Sequence, residues 1–178
     1  MRRGKFELNY EQVYRDAKGQ GAELQLEDEL YSFSRLIREH YEFKLFLEDP
    51  RLAAEYKKGK LKELCPPGTT NNFFSVVTML IDHGREELIE ELSKNFTRRL
   101  FQDEGVLFGE VSSVAAVPVK AQARLQSIMS RVAGAPVKLR YNFDPELLGG
   151  LSVKFINGKM WDASLRRELA DLRSAIVK

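Results

Sequence analysis

The sequence predicts an α+β protein, with an all-α bundle of about six helices over residues 1–105 and a small βαββα domain over residues 106–178. Apolar residues in the first part recur every three to four positions, which is the period of an amphipathic helix. Beyond Gly105 the pattern changes to valine-rich and alternating segments that are typical of strands. The chain is 43% hydrophobic over 178 residues, which is enough to bury a core in two small domains.

Breaks in the helical period separate the first elements. The first helix covers residues 6–17 and ends at glycines, and a longer helix follows over residues 26–41. Asp49 and Pro50 interrupt the pattern. Because proline suits the first turn of a helix, we expect the next helix to start at Pro50, with an interruption at Gly59.

A Cys-Pro-Pro-Gly stop at residues 65–68 precedes two further helices. Thr70 or Asn71 is placed to cap a helix over residues 72–82, whose apolar side chains go most of the way round. The last helix of the bundle opens at Arg85. Two acidic residues follow this arginine, where they favour the positive end of the helix dipole.

The second part alternates strands with one helix. A strand is predicted within residues 106–119, and a helix over residues 121–132 is closed by Gly134. Residues 137–141 alternate apolar and polar side chains, as a half-buried strand does. Residues 151–156 form a further predicted strand.

The end of the chain is predicted to turn and become helical. Asn157-Gly158 is a hairpin turn signal. Asp162 is placed to cap a closing helix. That helix carries one apolar stripe, which suits it to cover one face of a small sheet. The stripe consists of Leu165, Leu169, Leu172 and Ile176.

No pattern for catalysis stands out. The sequence lacks a G-x-x-x-x-G-K-[ST] phosphate loop and a G-x-S-x-G nucleophile elbow. His40 and His83 are far apart, which favours helix-end roles over metal ligation. Cys65 is the single cysteine, so an internal disulfide and a multi-cysteine zinc site are excluded. We therefore expect a protein that is not an enzyme and that binds no cofactor and no metal.

Charge leaves one alternative open. Residues 1–105 carry 17 Lys and Arg against 20 Asp and Glu, and residues 106–178 carry 11 against 6. A short basic run could contact phosphate, so the alternative is an RNA-binding helical adaptor with an appended α/β domain. A solvated helix face is the favoured interpretation of this run. The run consists of Lys57, Lys58, Lys60 and Lys62.

Two segments of the second part carry a family resemblance. Residues 144–154, Asp-Pro-Glu-Leu-Leu-Gly-Gly-Leu-Ser-Val-Lys, and residues 162–165, Asp-Ala-Ser-Leu, resemble the F-type ATP synthase delta subunit family. The mitochondrial member of that family is the oligomycin-sensitivity-conferring protein. Upstream, three further short segments resemble family segments and occur in the same order along the chain. They are residues 49–50, 71–74 and 84–85. The resemblance therefore covers nearly the whole chain.

The resemblance implies a stator protein that holds the catalytic head of the synthase to its peripheral stalk. In the family, the N-terminal helix of an alpha subunit binds between the first and fifth helices, and the C-terminal domain holds the paired b subunits. The fifth helix corresponds here to residues 72–82. The candidate alpha-subunit-binding residues are Tyr10, Val13, Tyr14, Ala17, Phe74, Val77 and Ile81. The candidate stalk-binding residues are Arg166, Arg167 and Arg173.

Further expectations concern backbone and location. Gly149 and Gly150 are expected to form a close backbone turn, with Asp162 as a further structural residue. The first five residues do not resemble a secretory signal, and no apolar run approaches the roughly 18 residues of a membrane span. Without a transit peptide, we expect a peripheral protein on the cytoplasmic side of a bacterial plasma (inner) membrane. It would meet the membrane only through its complex and would bind no nucleic acid.

Overall fold

A computed structural model describes residue 6 and residues 8–164 of the chain. The chain divides into two compact units between Leu100 and Phe101. Helices build the first unit, and a four-stranded mixed sheet builds the second. The α+β class is therefore confirmed, as is the order of helical bundle followed by sheet.

Within the described residues, six α-helices precede the first strand. A single 3-10 turn, Glu86–Leu88, leads into the last of them. The helices are α1 (Tyr10–Gly19), α2 (Glu23–Glu39), α3 (Tyr41–Glu48), α4 (Ala54–Leu64), α5 (Asn71–Asp82) and α6 (Ile89–Glu104).

The break between α2 and α3 departs from the predicted long helix. The chain leaves helical geometry at His40, with φ −121° and ψ 89°. Phe33 on α2 and Phe43 on α3 meet edge to face, with ring centroids 5.7 Å apart. In one continuous helix these residues would lie about 15 Å apart along the axis. The break at His40 therefore allows this aromatic contact to form.

The turn after α3 also differs from the prediction. Pro50 lies in a turn, and the next helix begins only at Ala54. Asp49 organises this turn, because its carboxylate accepts hydrogen bonds from the side chain and the backbone N–H of Arg51, which hold the Asp49 pKa at about 2. Gly59 stays inside α4, since a glycine within a helix costs only about 1 kcal/mol.

The start of α5 is fixed by a cap and a neighbouring helix. Thr70 Oγ1 accepts a hydrogen bond from the Phe73 N–H at 3.2 Å, which confirms Thr70 as the capping residue. The carboxylate of Glu29 on α2 accepts from the Thr70 N–H at 2.8 Å and from the Thr70 hydroxyl at 2.5 Å. The cap therefore also ties the N-terminus of α5 to α2.

The second unit contains β1 (Leu107–Ser113), α7 (Val119–Ala133), β2 (Val137–Phe143), β3 (Gly150–Phe155) and β4 (Met160–Ser164). The strand order is β2-β1-β3-β4, with β1 parallel to β2 and the other pairs antiparallel. Met129 on α7 packs with Val111, Leu139 and Val153 in the core of the sheet. A Cβ at Gly109 would lie 3.0 Å from Leu139 and Phe155 side chains, so this packing needs a glycine.

Strand β4 is an element that the predicted βαββα order lacks. It pairs antiparallel with β3, and Asp162 lies opposite Ser152 in the middle of this pairing. The prediction that Asp162 caps a helix is therefore wrong, because strand pairing continues through Ser164. The hairpin predicted at Asn157-Gly158 connects β3 to β4, with Gly158 at φ 84°.

Gly149 immediately precedes β3, and Gly150 is the first residue of this strand, opposite Ser164 of β4. Gly149 is buried, and Gly150 has φ 77°, a left-handed conformation that a residue with a side chain rarely adopts. The closing apolar stripe predicted over residues 165–176 lies outside the described residues. Among the helices that are described, none combines the length and the apolar character needed to cross a bilayer.

Candidate functional site

An open groove of about 690 Å³ lies in the helical unit between α1 and α5. Apolar side chains from both helices and from α2 line it together with polar side chains. The apolar lining includes Val13, Ala17, Leu26, Val76 and Met79. The polar lining includes Gln12, Arg15, Asp16, Gln20, Asn72 and Ser75. Such a lining suits an amphipathic helix, which buries one apolar face and leaves its other side in water.

One face of α1 is held by α6. The Tyr14 ring meets the Phe96 ring edge to face at 5.4 Å, and the Arg99 guanidinium lies 5.0 Å from the Tyr14 centroid. Arg99 also forms an ion pair with Glu11 at 3.1 Å. Burial raises the pKa of Tyr10, as do a hydrogen bond to Glu91 on α6 and the charge of that carboxylate. The opposite side of α1 is left to form the groove.

The groove side of α1 begins with a capped helix end. Asn9 Oδ1 accepts a hydrogen bond from the Gln12 N–H at 3.1 Å. Gln12 Nε2 donates to the Asp16 carboxylate at 2.8 Å, one turn further along the same face. Val13 and Ala17 follow these two polar residues by one position each and form the neighbouring row of α1.

Helix α5 presents Asn72, Ser75, Val76 and Met79 to the groove. These positions follow the i, i+3, i+4, i+7 spacing of a single helix face. The adjacent face is buried, with Val77 at 0% and Ile81 at 3% exposure. The helix therefore packs its most apolar face against the bundle and turns a mixed face towards the groove.

The structure divides the seven candidate alpha-subunit-binding residues into those that line the groove and those that do not. Val13 and Ala17 line the groove, so their role in binding stays a prediction. Tyr14, Val77 and Ile81 do not line the groove, and the bundle encloses their side chains, so their role in binding stays a prediction without support from the groove geometry.

The other two candidates are also outside the groove lining. Tyr10 lies against α6, where its hydroxyl meets Glu91. Phe74 is half-buried beside Phe73, with ring centroids 5.8 Å apart. Val76 and Met79 take their place as the apolar residues of α5 in the groove. No sequence signal distinguishes this face, since α5 also carries polar residues that do not line the groove, at Asn71, Thr78 and Asp82.

The basic run of α4 does not form a free cationic surface. Lys57 is 4% exposed, and its Nζ donates to Glu86 Oε1 at 2.5 Å and to the Leu47 carbonyl oxygen. Lys58 pairs with Asp82 and Glu55, and Lys60 pairs with Glu63. Because intramolecular carboxylates neutralise three of the four ammonium groups, the run offers little to RNA phosphates.

The remaining reactive side chains lie at structural positions. His40 separates α2 from α3, and His83 is the C-cap residue of α5. Cys65 follows α4, and burial, together with the nearby Glu29 carboxylate, raises the pKa of its thiol. A raised pKa lowers the thiolate fraction that a nucleophile requires. Among the described residues, no three His, Cys, Asp or Glu side chains are grouped so that they could hold a metal ion.

Known proteins match this chain along almost its full length. The family model described as ATP synthase delta (OSCP) subunit matches residues 12–176. The chain is 28% identical over 180 residues to the ATP synthase subunit delta of Desulforudis audaxviator, with 99% of this chain and 97% of the relative covered. It is 30% identical over 154 residues to the ATP synthase subunit delta of Rubrobacter xylanophilus, with 85% and 84% covered.

The fold also matches a solved structure. A chain in the cryo-EM structure of the Toxoplasma gondii mitochondrial ATP synthase hexamer superimposes with a TM-score of 0.62, at 14% identity and with 95% of each chain covered. This match supports the fold, and the family model supports the family. The chain belongs to the ATP synthase delta (OSCP) subunit family, a family of non-catalytic subunits of the ATP synthase.

Proposed function

We propose that this chain is the stator subunit that joins the catalytic head of an F-type ATP synthase to its peripheral stalk. It thereby keeps the head from turning with the rotor, so that ion flow is coupled to ATP synthesis. The observation that carries this proposal is the groove between α1 and α5, in a chain whose family is non-catalytic. A coupling subunit of this kind needs two binding surfaces and no reactive group.

The groove is the proposed surface for the head. Its α5 side extends from Asn72 to Met79, which corresponds to about 12 Å of helix axis, or roughly two turns. An amphipathic helix of this contact length would place two or three apolar side chains against Val13, Val76 and Met79. We propose the N-terminal helix of an alpha subunit as the occupant. The mixed lining supports it, since binding energy at such surfaces comes from a few buried apolar anchors.

Val76→Asp is expected to abolish this contact and leave the fold intact. Val76 is half-buried at the groove, so a carboxylate there stays hydrated in the free protein but is desolvated under a bound helix. We expect the affinity for a synthetic alpha-subunit N-terminal peptide to fall by more than about 2 kcal/mol. Titration calorimetry with the full chain measures it, and circular dichroism checks the fold.

Leu24→Asp is the matched control for this substitution. Leu24 lies on α2, is 47% exposed and does not line the groove, so peptide affinity should change by less than about 0.5 kcal/mol. If Val76→Asp binds the peptide as wild type does, the groove is not the surface for the head.

The proposed surface for the stalk is the basic flank at the end of the chain. Arg166, Arg167 and Arg173 lie outside the described residues, so their assignment is supported by the charge pattern and the family resemblance. Changing all three to Glu is expected to weaken binding of the b subunits and to leave binding of the alpha peptide unchanged, because the groove belongs to the other unit and sites with no shared partners usually act independently. Both affinities are to be measured at two salt concentrations.

Salt provides the internal check on the stalk surface. Exposed charges are screened beyond about 10 Å at 0.1 M salt, so the loss of b-subunit binding should shrink as salt is added. An equal loss of alpha-peptide binding, or no loss at either surface, would contradict the assignment.

We further propose a peripheral location on the cytoplasmic side of a bacterial plasma membrane, reached through the complex. The likeness to delta subunits of two bacteria supports it. Affinity purification of the tagged chain from its own membranes tests the whole proposal. The alpha and b subunits should be among the bands recovered, and their absence would contradict it.

A further inference from the structure

One residue of the groove lining, Phe6, belongs to an aromatic pair. The Phe6 ring stacks on the His83 ring, with centroids 4.2 Å apart and planes at 26°. Phe6 lines the groove just before α1, and His83 follows the last turn of α5. The His83 ring is anchored in turn, because its Nδ1–H donates to the carbonyl oxygen of Met79 at 2.8 Å. Met79 itself lines the groove.

Small and polar residues from the end of α1 and the start of α5 also line the groove. They include Gly19, Gln20 and Asn72. A Cβ added at Gly19 would find no atom within 4 Å. The lining is therefore asymmetric, with an aromatic side chain from the residues before α1 and small or polar residues from the end of α1.

We infer that the Phe6–His83 pair is the end wall of the groove, which sets where a bound helix stops and packs against its last apolar side chain. This inference rests on the function proposed above. The partner it fits is a helix with an apolar residue in the turn that reaches Phe6. Phe6 acts as a specificity-determining residue, and His83 acts as a positioning residue that holds the Phe6 ring.

Two observations favour a wall, against which the helix packs, over a ring that the helix must displace. A volume of about 690 Å³ remains in the groove with Phe6 in place. The Phe6 ring is held by its stack with His83. We therefore expect the helix to bind without displacing Phe6.

The test measures the affinity of the full chain for a labelled alpha-subunit N-terminal peptide by fluorescence anisotropy. Phe6→Ala is expected to raise the Kd about 10-fold, as the loss of a buried aromatic anchor does. His83→Ala should raise it several-fold. The double variant should bind about as well as Phe6→Ala alone, since coupled residues are not additive. Tyr41→Ala, which truncates a 70% exposed ring outside the groove, should stay within about two-fold of wild type.

Each other outcome has a defined meaning. If Phe6→Ala binds more tightly than wild type, Phe6 competes with the helix and the end wall is wrong. If wild type binds and Phe6→Ala is unchanged, or if the two single effects simply add, the end wall is wrong while the groove function stands. If the wild-type chain itself does not bind the peptide, the proposed function fails and the inference fails with it.

Discussion

Val77→Asp is expected to unfold the helical unit. Val77 has no exposed surface and lies in the core beside Leu80 and Phe73. A carboxylate at this position would be removed from water without a hydrogen-bond or ionic partner. This costs several kcal/mol of folding free energy even after the carboxyl pKa rises. Because domains are stable by only about 5–15 kcal/mol, this cost takes most of the margin. Circular dichroism at 222 nm and urea titration of the full chain measure the loss.

The adjacent residue, Val76, is expected to respond differently to the same substitution. Val76 and Val77 are adjacent on α5, but only Val76 faces the groove. Val76→Asp should fold and fail to bind, whereas Val77→Asp should fail to fold. Val77→Ala removes two methyl groups without adding charge and should cost only about 2 kcal/mol. A folded Val77→Asp with wild-type stability would show that α5 is rotated relative to the core described here.

Lys57→Met is the second substitution expected to have a large effect. The side chains of Lys57 and Glu86 are 5% and 6% exposed, and their charged atoms are 2.5 Å apart. The Lys57 ammonium also donates to the Leu47 carbonyl oxygen at the end of α3. Removing it leaves the Glu86 charge buried without this partner, and breaking a buried pair in this way costs about 3–5 kcal/mol. Urea titration of the full chain measures the change.

Two variants test the cause of that loss. Lys60 also pairs with a carboxylate, Glu63, but both side chains are largely exposed, so Lys60→Met should cost less than about 1 kcal/mol. Lys57→Met combined with Glu86→Leu removes both charges and should recover a large part of the lost stability. If Lys57→Met costs no more than Lys60→Met, the buried pair does not stabilise the connection of α4 to the turn before α6.

Local chemistry was sufficient for several element ends. Threonine is a preferred N-cap residue because of its side-chain hydroxyl, and Thr70 caps α5 in the structure. Gly134 ends α7 at φ 67°, as a C-terminal glycine should. These features depend on residues next to one another in the chain. The break at His40 is different, because the contact that it allows joins Phe33 and Phe43 on two separate helices.

The lysines of α4 show that the sequence alone also does not predict which charged side chains are solvated. A run of four similar residues suggests one solvated face, yet Lys57 is buried, and Lys58 and Lys60 form ion pairs. Whether a charge is solvated depends on acceptors that come from distant parts of the chain, here Glu86 and Asp82. Composition and spacing carry no information about those acceptors, so the RNA-binding alternative could be rejected only with the folded chain and its relatives in view.

The sequence by itself determined the α+β class, the order of bundle and sheet, and the family, because helical period, strand alternation and the residues around Gly149-Gly150 are local patterns. The tertiary structure alone decided which face of α5 borders the groove. Helix α5 is apolar nearly all the way round, so its period could not distinguish Val76 from Val77. That choice follows from the packing of α5 against the bundle, which buries Val77 and leaves Val76 and Met79 beside α1.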